Sequence, residues 1–188
     1  MTRILGIDPG SRVTGYGVLD VDGPRLKYIT CGCITPRATA LGERLGTIFE
    51  ETAQLIAEFV PDEMAIEQVF MHRNAQSALK LGQARGAAIV AAASGRLPVH
   101  EYSPTQIKQA ATGRGHAAKS QVQHMVQVLL RLEAVPATDA ADALAVAIAH
   151  GHHRETALRV GSAHEAALIR EGAGGARRRR RARAGGRR

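Results

Sequence analysis

The period of the hydrophobic pattern changes near residue 40 of this chain, and this change limits the folds that the chain can adopt. Before it, a short apolar run predicts a strand over Arg3–Ile7, alternation predicts one over Val13–Val21, and a third strand is expected over Leu26–Ile34. Because tight turns such as Asp22-Gly23-Pro24 separate these segments, we expect an antiparallel meander. After it, apolar residues between positions 41 and 59 recur with the spacing of one face of an amphipathic helix.

The rest of the chain alternates short strands with helices. The pattern predicts strands over residues 64–67 and 99–102, and helices over 75–94, 104–111, 120–136 and 138 to about 150. Thr138 is the expected N-cap of the last helix. This order of elements indicates an α/β fold, with a mixed five-stranded sheet that contains the three antiparallel N-terminal strands and is flanked by helices.

The basic charge is concentrated at the C-terminus. Residues 1–149 hold 14 basic and 14 acidic residues, whereas residues 150–188 hold 11 arginines and three glutamates and so carry the whole net charge of +8. We predict a folded domain over residues 1–153 and an extension over 154–188, Arg-rich and disordered from about residue 173. Our hypothesis for this extension is nonspecific contact with phosphate backbones, and the alternative is a solvated tail that aids solubility.

Composition excludes several classes of protein. Two cysteines cannot build a disulfide scaffold. The longest run of small apolar residues, Gly86–Gly95, has about half the length that a membrane span needs. Asp8 comes too early for a signal peptide. We therefore expect a cytoplasmic protein that does not associate with membranes.

Four carboxylates stand where predicted elements begin or end. Asp8 closes the first strand and Glu67 the fourth, while Asp139 and Asp142 open the last helix on one of its faces. If the first and fourth strands are neighbours in one sheet, the last helix can bring its aspartates over the same edge. Each acid alone also has an ordinary explanation, as a turn residue, a solvated strand end or a favourable charge at a helix N-terminus.

Together, these four acids point to metal chemistry. Carboxylates this close repel one another unless a cation neutralises them. Oxygen ligands alone suit Mg²⁺ or Mn²⁺, and two such ions about 3.5–4 Å apart can hold a phosphodiester between them. The sequence therefore predicts a site for phosphodiester hydrolysis, provided that all four side chains converge.

Five segments carry a resemblance to a known family. In chain order they read LGIDPGS (5–11), AIEQVF (65–70), SALKLGQARG (77–86), KSQVQHMV (119–126) and DAADALA (139–145). In this order and spacing, residues 1 to about 153 strongly resemble the RuvC family of Holliday junction resolvases. The resemblance implies a ribonuclease H-like fold and an endonuclease acting in DNA recombination and repair.

The resemblance also implies cofactors and partners. The enzyme would be a homodimer that binds four-way junction DNA and nicks two strands of like polarity at symmetric points, leaving 5′-phosphate and 3′-hydroxyl ends. Its four acids would be catalytic metal ligands for Mg²⁺, two ions per subunit, with Mn²⁺ as a possible substitute. The helix over 75–94 would make the dimer contact, and the RuvA–RuvB branch-migration complex would be a partner.

Basic residues near the acids match family positions. Lys108 and Lys119 resemble family lysines beside the scissile backbone, and Lys119 is included among the catalytic residues that the resemblance implies. A lysine there steers the phosphate and stabilises charge in the transition state, although either residue could be an ordinary surface lysine. Arg114 lies between two glycines and is a candidate phosphate contact.

The segment after the fourth strand is a candidate DNA-binding loop. The resemblance matches Phe70 to an aromatic residue that stacks on an unpaired base at the crossover, where stacking adds about 1–3 kcal/mol per base. Packing in the core is the alternative for Phe70. Arg73 and Asn74 would then lie on a loop that faces the DNA.

Histidines cluster just past the last predicted helix, at positions 150, 152 and 153. We expect no zinc site there, because neither paired cysteines nor a second histidine group accompanies them. A positive charge at a helix C-terminus explains them equally well.

Two other functions compete with the junction endonuclease. A noncatalytic four-way-junction DNA-binding protein would keep the acids for structure alone. An ATP-binding phosphotransferase of the actin and sugar kinase type also begins with a hairpin after an Asp-Gly turn. That class needs two such repeats, and this chain contains one.

Overall fold

Five strands form one mixed sheet in the computed structural model, which describes residues 1–69 and 75–160. The strands are β1 (Thr2–Asp8), β2 (Thr14–Asp22), β3 (Arg25–Ile34), β4 (Glu63–Glu67) and β5 (Val99–Tyr102). Their order across the sheet is β3-β2-β1-β4-β5. The first three strands pair antiparallel, and β1, β4 and β5 pair in parallel. The predicted α/β class and the antiparallel N-terminal meander are confirmed.

Helices follow the strands. They are α1 (Leu41–Phe59), α2 (Ala75–Ser94), α3 (Pro104–Thr112), α4 (Lys119–Leu130) and α5 (138–152). The chain divides into two units, Met1–His152 and His153–Arg188, and the described part of the second unit, residues 153–160, is helical. Among the described helices, none has both the length and the apolar character that crossing a membrane requires.

Each face of the sheet packs against its own helices, as the alternation along β1 requires. Leu5 and Ile7 belong to a core with buried residues of α1 and α2. Ile4 belongs to the second core, which contains buried residues of α3, α4 and α5. Asp8 continues the alternation of Ile4, so it lies on the α5 face at the end of its strand.

Glycines let α5 lie close to the sheet. A β-carbon at Gly6 in β1 would overlap the carbonyl oxygen of Ala143, and one at Gly15 in β2 would overlap that of Asp139. Six alanines of the helix are buried, and their small side chains also permit a short distance between the two layers. This contact sets the height of α5 above the ends of β1 and β4, and therefore the position of its first-turn aspartates.

Two helix boundaries differ from the predictions. The fourth helix ends at Leu130 rather than near Pro136, because Arg131 adopts the left-handed conformation (φ 53°) and its N–H bonds to the carbonyls of Gln127 and Val128. Thr138 is not the N-cap of α5, because Ala137 accepts the first helical bond, from the N–H of Ala141 at 2.8 Å. His150, His152 and His153 lie within helical residues rather than past them.

Candidate active site

The parallel pairing of β1 with β4 brings two acids to one edge of the sheet. Ile7 is paired with Ile66, so the next residues, Asp8 and Glu67, end neighbouring strands. From α5, Asp139 and Asp142 approach the same edge. One carboxylate oxygen from each of Asp8, Asp139 and Asp142 lies within 4.8 Å of the others. Two distant stretches of sequence thus supply three converging carboxylates, and the fourth, Glu67, adjoins them.

Three of these acids line a pocket of about 360 Å³ whose opposite side is formed by α3 and α4. Its lining includes Asp8, Glu67, Asp142, Lys108 and Lys119. The pocket therefore combines a concentration of negative charge with two lysines.

Local capping fixes the two lysine-bearing helices. In α3 the Ser103 hydroxyl accepts from the Gln106 N–H at 3.3 Å, and the Gln106 side chain accepts from the Ser103 N–H at 2.9 Å. This reciprocal capping box starts the helix that carries Lys108. At the start of α4, the Gln121 side chain accepts from the Ala118 N–H at 2.9 Å, next to Lys119. Lys108 thus lies in the middle of a capped helix, and Lys119 is the first residue of one.

Burial and like charge dominate the electrostatics of the acids. Loss of solvation, followed by repulsion from Glu67 and Asp142, raises the pKa of Asp8 to about 8. Burial and the charge of Asp142 raise the pKa of Glu67 above its ordinary value. Burial also raises the pKa of Asp142, against the opposing effect of Lys119. The carboxylates in the pocket therefore repel one another, and a bound cation would reduce this repulsion.

Lys119 places a positive charge directly beside the acids. Its Nζ lies 2.5 Å from Oδ2 of Asp142, and 58% of its side chain is exposed. Burial alone would lower the pKa of Lys119, but its hydrogen bond to Asp142 and the nearby carboxylates raise that pKa above the ordinary lysine value. The ammonium group thus stays protonated while it remains accessible to an anionic ligand.

This donor set fits a divalent cation. Its ligand atoms are carboxylate oxygens, which Mg²⁺ and Mn²⁺ prefer, and three of them are already within a distance that one ion can span with small side-chain movements. The high pKa of Asp8 without a metal agrees with this fit, because bound cations favour ionised ligands.

The other predicted DNA contacts are placed differently. Arg114 lines a separate pocket on α4, together with Ser120, Gln121 and His124, rather than the acid pocket. Phe70, Arg73 and Asn74 lie outside the described residues, and so does the Arg-rich part of the C-terminal extension.

Sequence reasoning missed Arg85, on α2. Its Nε–H donates to the carbonyl oxygen of Glu67 at 3.2 Å, and its Nη2 lies 2.7 Å from the Glu101 carboxylate. The side chain thereby joins α2 to the ends of β4 and β5 beside the acids. A signal was available, since this arginine interrupts a helix of small residues and belongs to one of the five family-like segments.

Comparison with known proteins identifies relatives of this chain. The family model described as crossover junction endodeoxyribonuclease RuvC matches residues 4–150. The protein of that description from Marinobacter nauticus is 59% identical over 160 residues, which cover 85% of this chain and 91% of the relative. The one from Halorhodospira halophila is 60% identical over 159 residues, covering 84% and 95% of the two chains.

Solved structures agree with these relatives. The structure of Thermus thermophilus RuvC in complex with Holliday junction substrate is 35% identical, has a TM-score of 0.78, and covers 84% of this chain and 97% of its own. The yeast mitochondrial Holliday junction resolvase has a TM-score of 0.57 and covers 80% and 79% of the two chains. At 11% identity it shows a shared fold alone.

Proposed function

This chain belongs to the RuvC family of crossover junction endodeoxyribonucleases, and from this membership we propose that it resolves Holliday junctions in DNA recombination and repair. The observation that carries the proposal is the convergence of Asp8, Asp139 and Asp142, with Glu67 in the pocket that Asp8 and Asp142 line. The reaction is hydrolysis of one phosphodiester in each of two strands of like polarity. Its products are nicked duplexes with 5′-phosphate and 3′-hydroxyl ends.

The four acids would hold the divalent cations, which we propose to be two Mg²⁺ per subunit, replaceable by Mn²⁺. When bound, such ions activate water by lowering its pKa and stabilise the departing 3′ oxygen. The acids themselves orient these ions from rigid positions, because Asp8 and Glu67 end paired strands and the aspartates of α5 begin a helix held against the sheet.

The lysines act on the DNA backbone. Lys119 presents an exposed ammonium group beside Asp142, where it can contact the scissile phosphate and offset charge in the transition state. Lys108, which lines the same side of the pocket from α3, steers the same strand. Arg114 is proposed to bind a phosphate farther along the strand, because its pocket lies beside the helix that carries Lys119.

Phe70, Arg73 and Asn74 remain proposed DNA contacts on the strength of the family resemblance. In this proposal Phe70 stacks on an unpaired base at the crossover, while Arg73 and Asn74 hold the adjoining backbone.

Symmetric cutting requires two sites, so we propose a homodimer in which each subunit cuts one strand. Helix α2 is the proposed contact, because Leu79 and Val90 are exposed and a β-carbon at Gly82 or Gly86 would meet nothing within 4 Å in this chain. Light scattering on the purified protein tests this, and a monomer under the cutting conditions would contradict it. The proposed setting is the cytoplasm, with RuvA–RuvB as the partner complex.

The C-terminal extension, residues 154–188, is proposed to add nonspecific DNA affinity. Deleting residues 173–188 should flatten the dependence of log K on log salt, whose slope is about −0.9 for each neutralised phosphate. Titrations at several salt concentrations measure this slope. An unchanged slope would support the alternative of a tail that aids solubility.

Nicking of a synthetic mobile four-way junction tests the function. With Mg²⁺ the protein should cut two strands of like polarity at symmetric positions, and chelator should abolish cutting. Asp8→Asn should bind the junction without cutting it. Junction binding by the wild type with no cuts in Mg²⁺ or Mn²⁺ would instead establish the noncatalytic junction-binding alternative.

A further inference from the structure

A second group of metal-ligating side chains lies at the other end of the sheet. Glu63 begins β4, His100 lies in β5, and His150 lies in α5. One ligand atom from each lies within 4.8 Å of the others. The register explains their approach, because His100 pairs with Ala65, which shares the α5 face of β4 with Glu63.

The buried member of this group is held from both sides of its ring. Nε2 of His150 contacts Oε2 of Glu63, and Nδ1 of His150 lies 2.7 Å from the Tyr102 hydroxyl. A hydrogen bond at one ring nitrogen orients a metal-binding histidine and sets which nitrogen is available to the metal. The Tyr102 bond thus leaves Nε2 as the ligating atom, at the point where it already faces a carboxylate.

Access to the group comes through His100. His150 is 3% exposed and the Glu63 side chain 20%, whereas His100 is exposed. The two imidazole rings are stacked, with centroids 4.5 Å apart. Bonds of about 2.0–2.1 Å place the ligand atoms of a tetrahedral zinc about 3.4 Å apart. Binding would therefore need the exposed His100 to rotate and the directly contacting Nε2 of His150 and Oε2 of Glu63 to move apart.

We propose that Glu63, His100 and His150 form a binding site for a divalent transition metal, with Zn²⁺ as the preferred ion. Two imidazoles and one carboxylate are a zinc donor set, and a water molecule can take the fourth position. The metal would replace the proton shared between His150 Nε2 and Glu63, and would join α5 to β4 and β5. Because imidazole favours zinc and cobalt over magnesium, this site and the acid pocket select different ions.

Cobalt is a visible probe for this site. The full-length protein, first treated with chelator and then dialysed, is titrated with Co²⁺ in the presence of excess Mg²⁺. We expect ligand-field absorption bands that saturate at one Co²⁺ per chain and disappear when Zn²⁺ is added. Zn²⁺ should also raise the melting temperature under the same conditions.

Three variants locate the binding, of which the two histidine substitutions are a matched pair. His100→Ala removes the exposed ligand but leaves both hydrogen bonds of the His150 ring, and should weaken Co²⁺ binding about tenfold or more. His124→Ala removes an exposed histidine on α4 and should bind like the wild type. Asp8→Asn alters the acid pocket and should also keep the cobalt bands.

Three results would overturn the proposal. One is the absence of cobalt bands when Mg²⁺ is present, which would make the group a hydrogen-bonded network alone. Another is equal cobalt affinity in His100→Ala and the wild type, which would assign the binding to other histidines. The third is loss of the bands in Asp8→Asn, which would assign it to the acid pocket.

Discussion

The two ends of the contact between β4 and α5 are built alike but differ in the partners of their acidic residues. The strand from Glu63 to Glu67 spans about 13 Å, and the helix from Asp142 to His150 rises about 12 Å. Since α5 runs antiparallel to β4, one packing contact sets Asp142 beside Glu67 and His150 beside Glu63. At one end acids meet acids, and at the other an acid meets a base.

The two ends differ in whether their acidic side chains have a basic partner. Around Glu63 the acids have partners, since His150 contacts Glu63 and, at the same end of the sheet but on its α1 face, Arg3 contacts Asp20 at 2.7 Å. Around Glu67 the pKa values of three acids are raised by burial and mutual repulsion, with Lys119 as a direct counter-charge. The paired end contributes stability, whereas the acid end gives up stability for ligand binding. Matched substitutions at the two ends test this division.

Glu67→Gln should have the largest effect on catalysis. Loss of a proposed direct metal ligand should reduce the cutting rate by more than the roughly 100-fold that loss of an outer-shell partner can cause. Removing one crowded carboxylate should leave the free energy of unfolding in chelator unchanged or about 0.5–2 kcal/mol higher. Timed junction cleavage and urea unfolding measure these quantities. Loss of junction binding in chelator would show instead that Glu67 is structural.

Glu63→Gln is the same substitution four residues earlier on the same strand. It weakens the hydrogen bond between the Glu63 side chain and the His150 ring. The free energy of unfolding should therefore fall by about 1–3 kcal/mol. Its junction cleavage in Mg²⁺ should match that of the wild type. Glu133→Gln, at an exposed position, controls for the change of charge. A stable Glu63→Gln protein that fails to cut would contradict the division between the two ends.

Arg85→Gln tests how the acid end is held in place. Arg85 supports the carbonyl of Glu67 and pairs with Glu101, so its loss should allow the end of β4 to move. Cutting should fall about tenfold, as for other outer-shell changes, while junction binding in chelator is retained. Arg85→Lys, which keeps the charge beside Glu101, should recover part of the rate. Arg96→Gln, on the exposed turn after α2, serves as the control.

If Arg85 has a purely structural role, Arg85→Gln should lower the melting temperature without changing the Mg²⁺ concentration that gives half-maximal cutting. A positioning role shifts that concentration upward, and Arg85→Lys shifts it less. A rate equal to the wild type at every Mg²⁺ concentration would remove Arg85 from the site.

Local patterns were sufficient to predict most elements and the edge where the acids meet. A short apolar run that ends at Asp8 identified β1, and another that stops at Glu67 identified β4. Parallel pairing of the two strands then brings their ends together. Helix ends without a glycine or proline were harder to predict. One is the end of α4, where Arg131 adopts the left-handed backbone conformation. Such an end depends on backbone geometry that the residue type does not favour.

The group at the other end of the sheet could not be predicted from sequence alone. Glu63, His100 and His150 are separated by 37 and 50 positions, and their meeting depends on the register of β5 against β4. The expectation that the histidines at positions 150, 152 and 153 form no zinc site considered only neighbours along the chain. The structure brings His100, which is distant in the sequence, next to His150 and Glu63.

The smallest expected effect concerns the pH dependence of the Arg3–Asp20 pair, at the Glu63 end of the sheet but on its α1 face. The hydrogen bond from Arg3 holds the pKa of Asp20 below its ordinary value of 3.8. A carboxyl group with a lowered folded-state pKa contributes stability above its unfolded pKa, and this contribution is lost as the pH falls through the folded value. Asp20→Asn should therefore cost about 1 kcal/mol at pH 5–7, and the difference from the wild type should shrink below about pH 4.

Urea unfolding of both proteins between pH 3 and pH 7 measures this difference, with Asp22→Asn as the control on the same strand, where the carboxylate is 70% exposed. The acid pocket has the opposite sign, because raised pKa values there make the metal-free protein less stable as the pH rises. A wild-type to Asp20→Asn difference that grew below pH 4 would show that Arg3 and Asp20 do not stabilise the fold as an ion pair, and the contrast between the two ends would then rest on Glu63 and His150 alone.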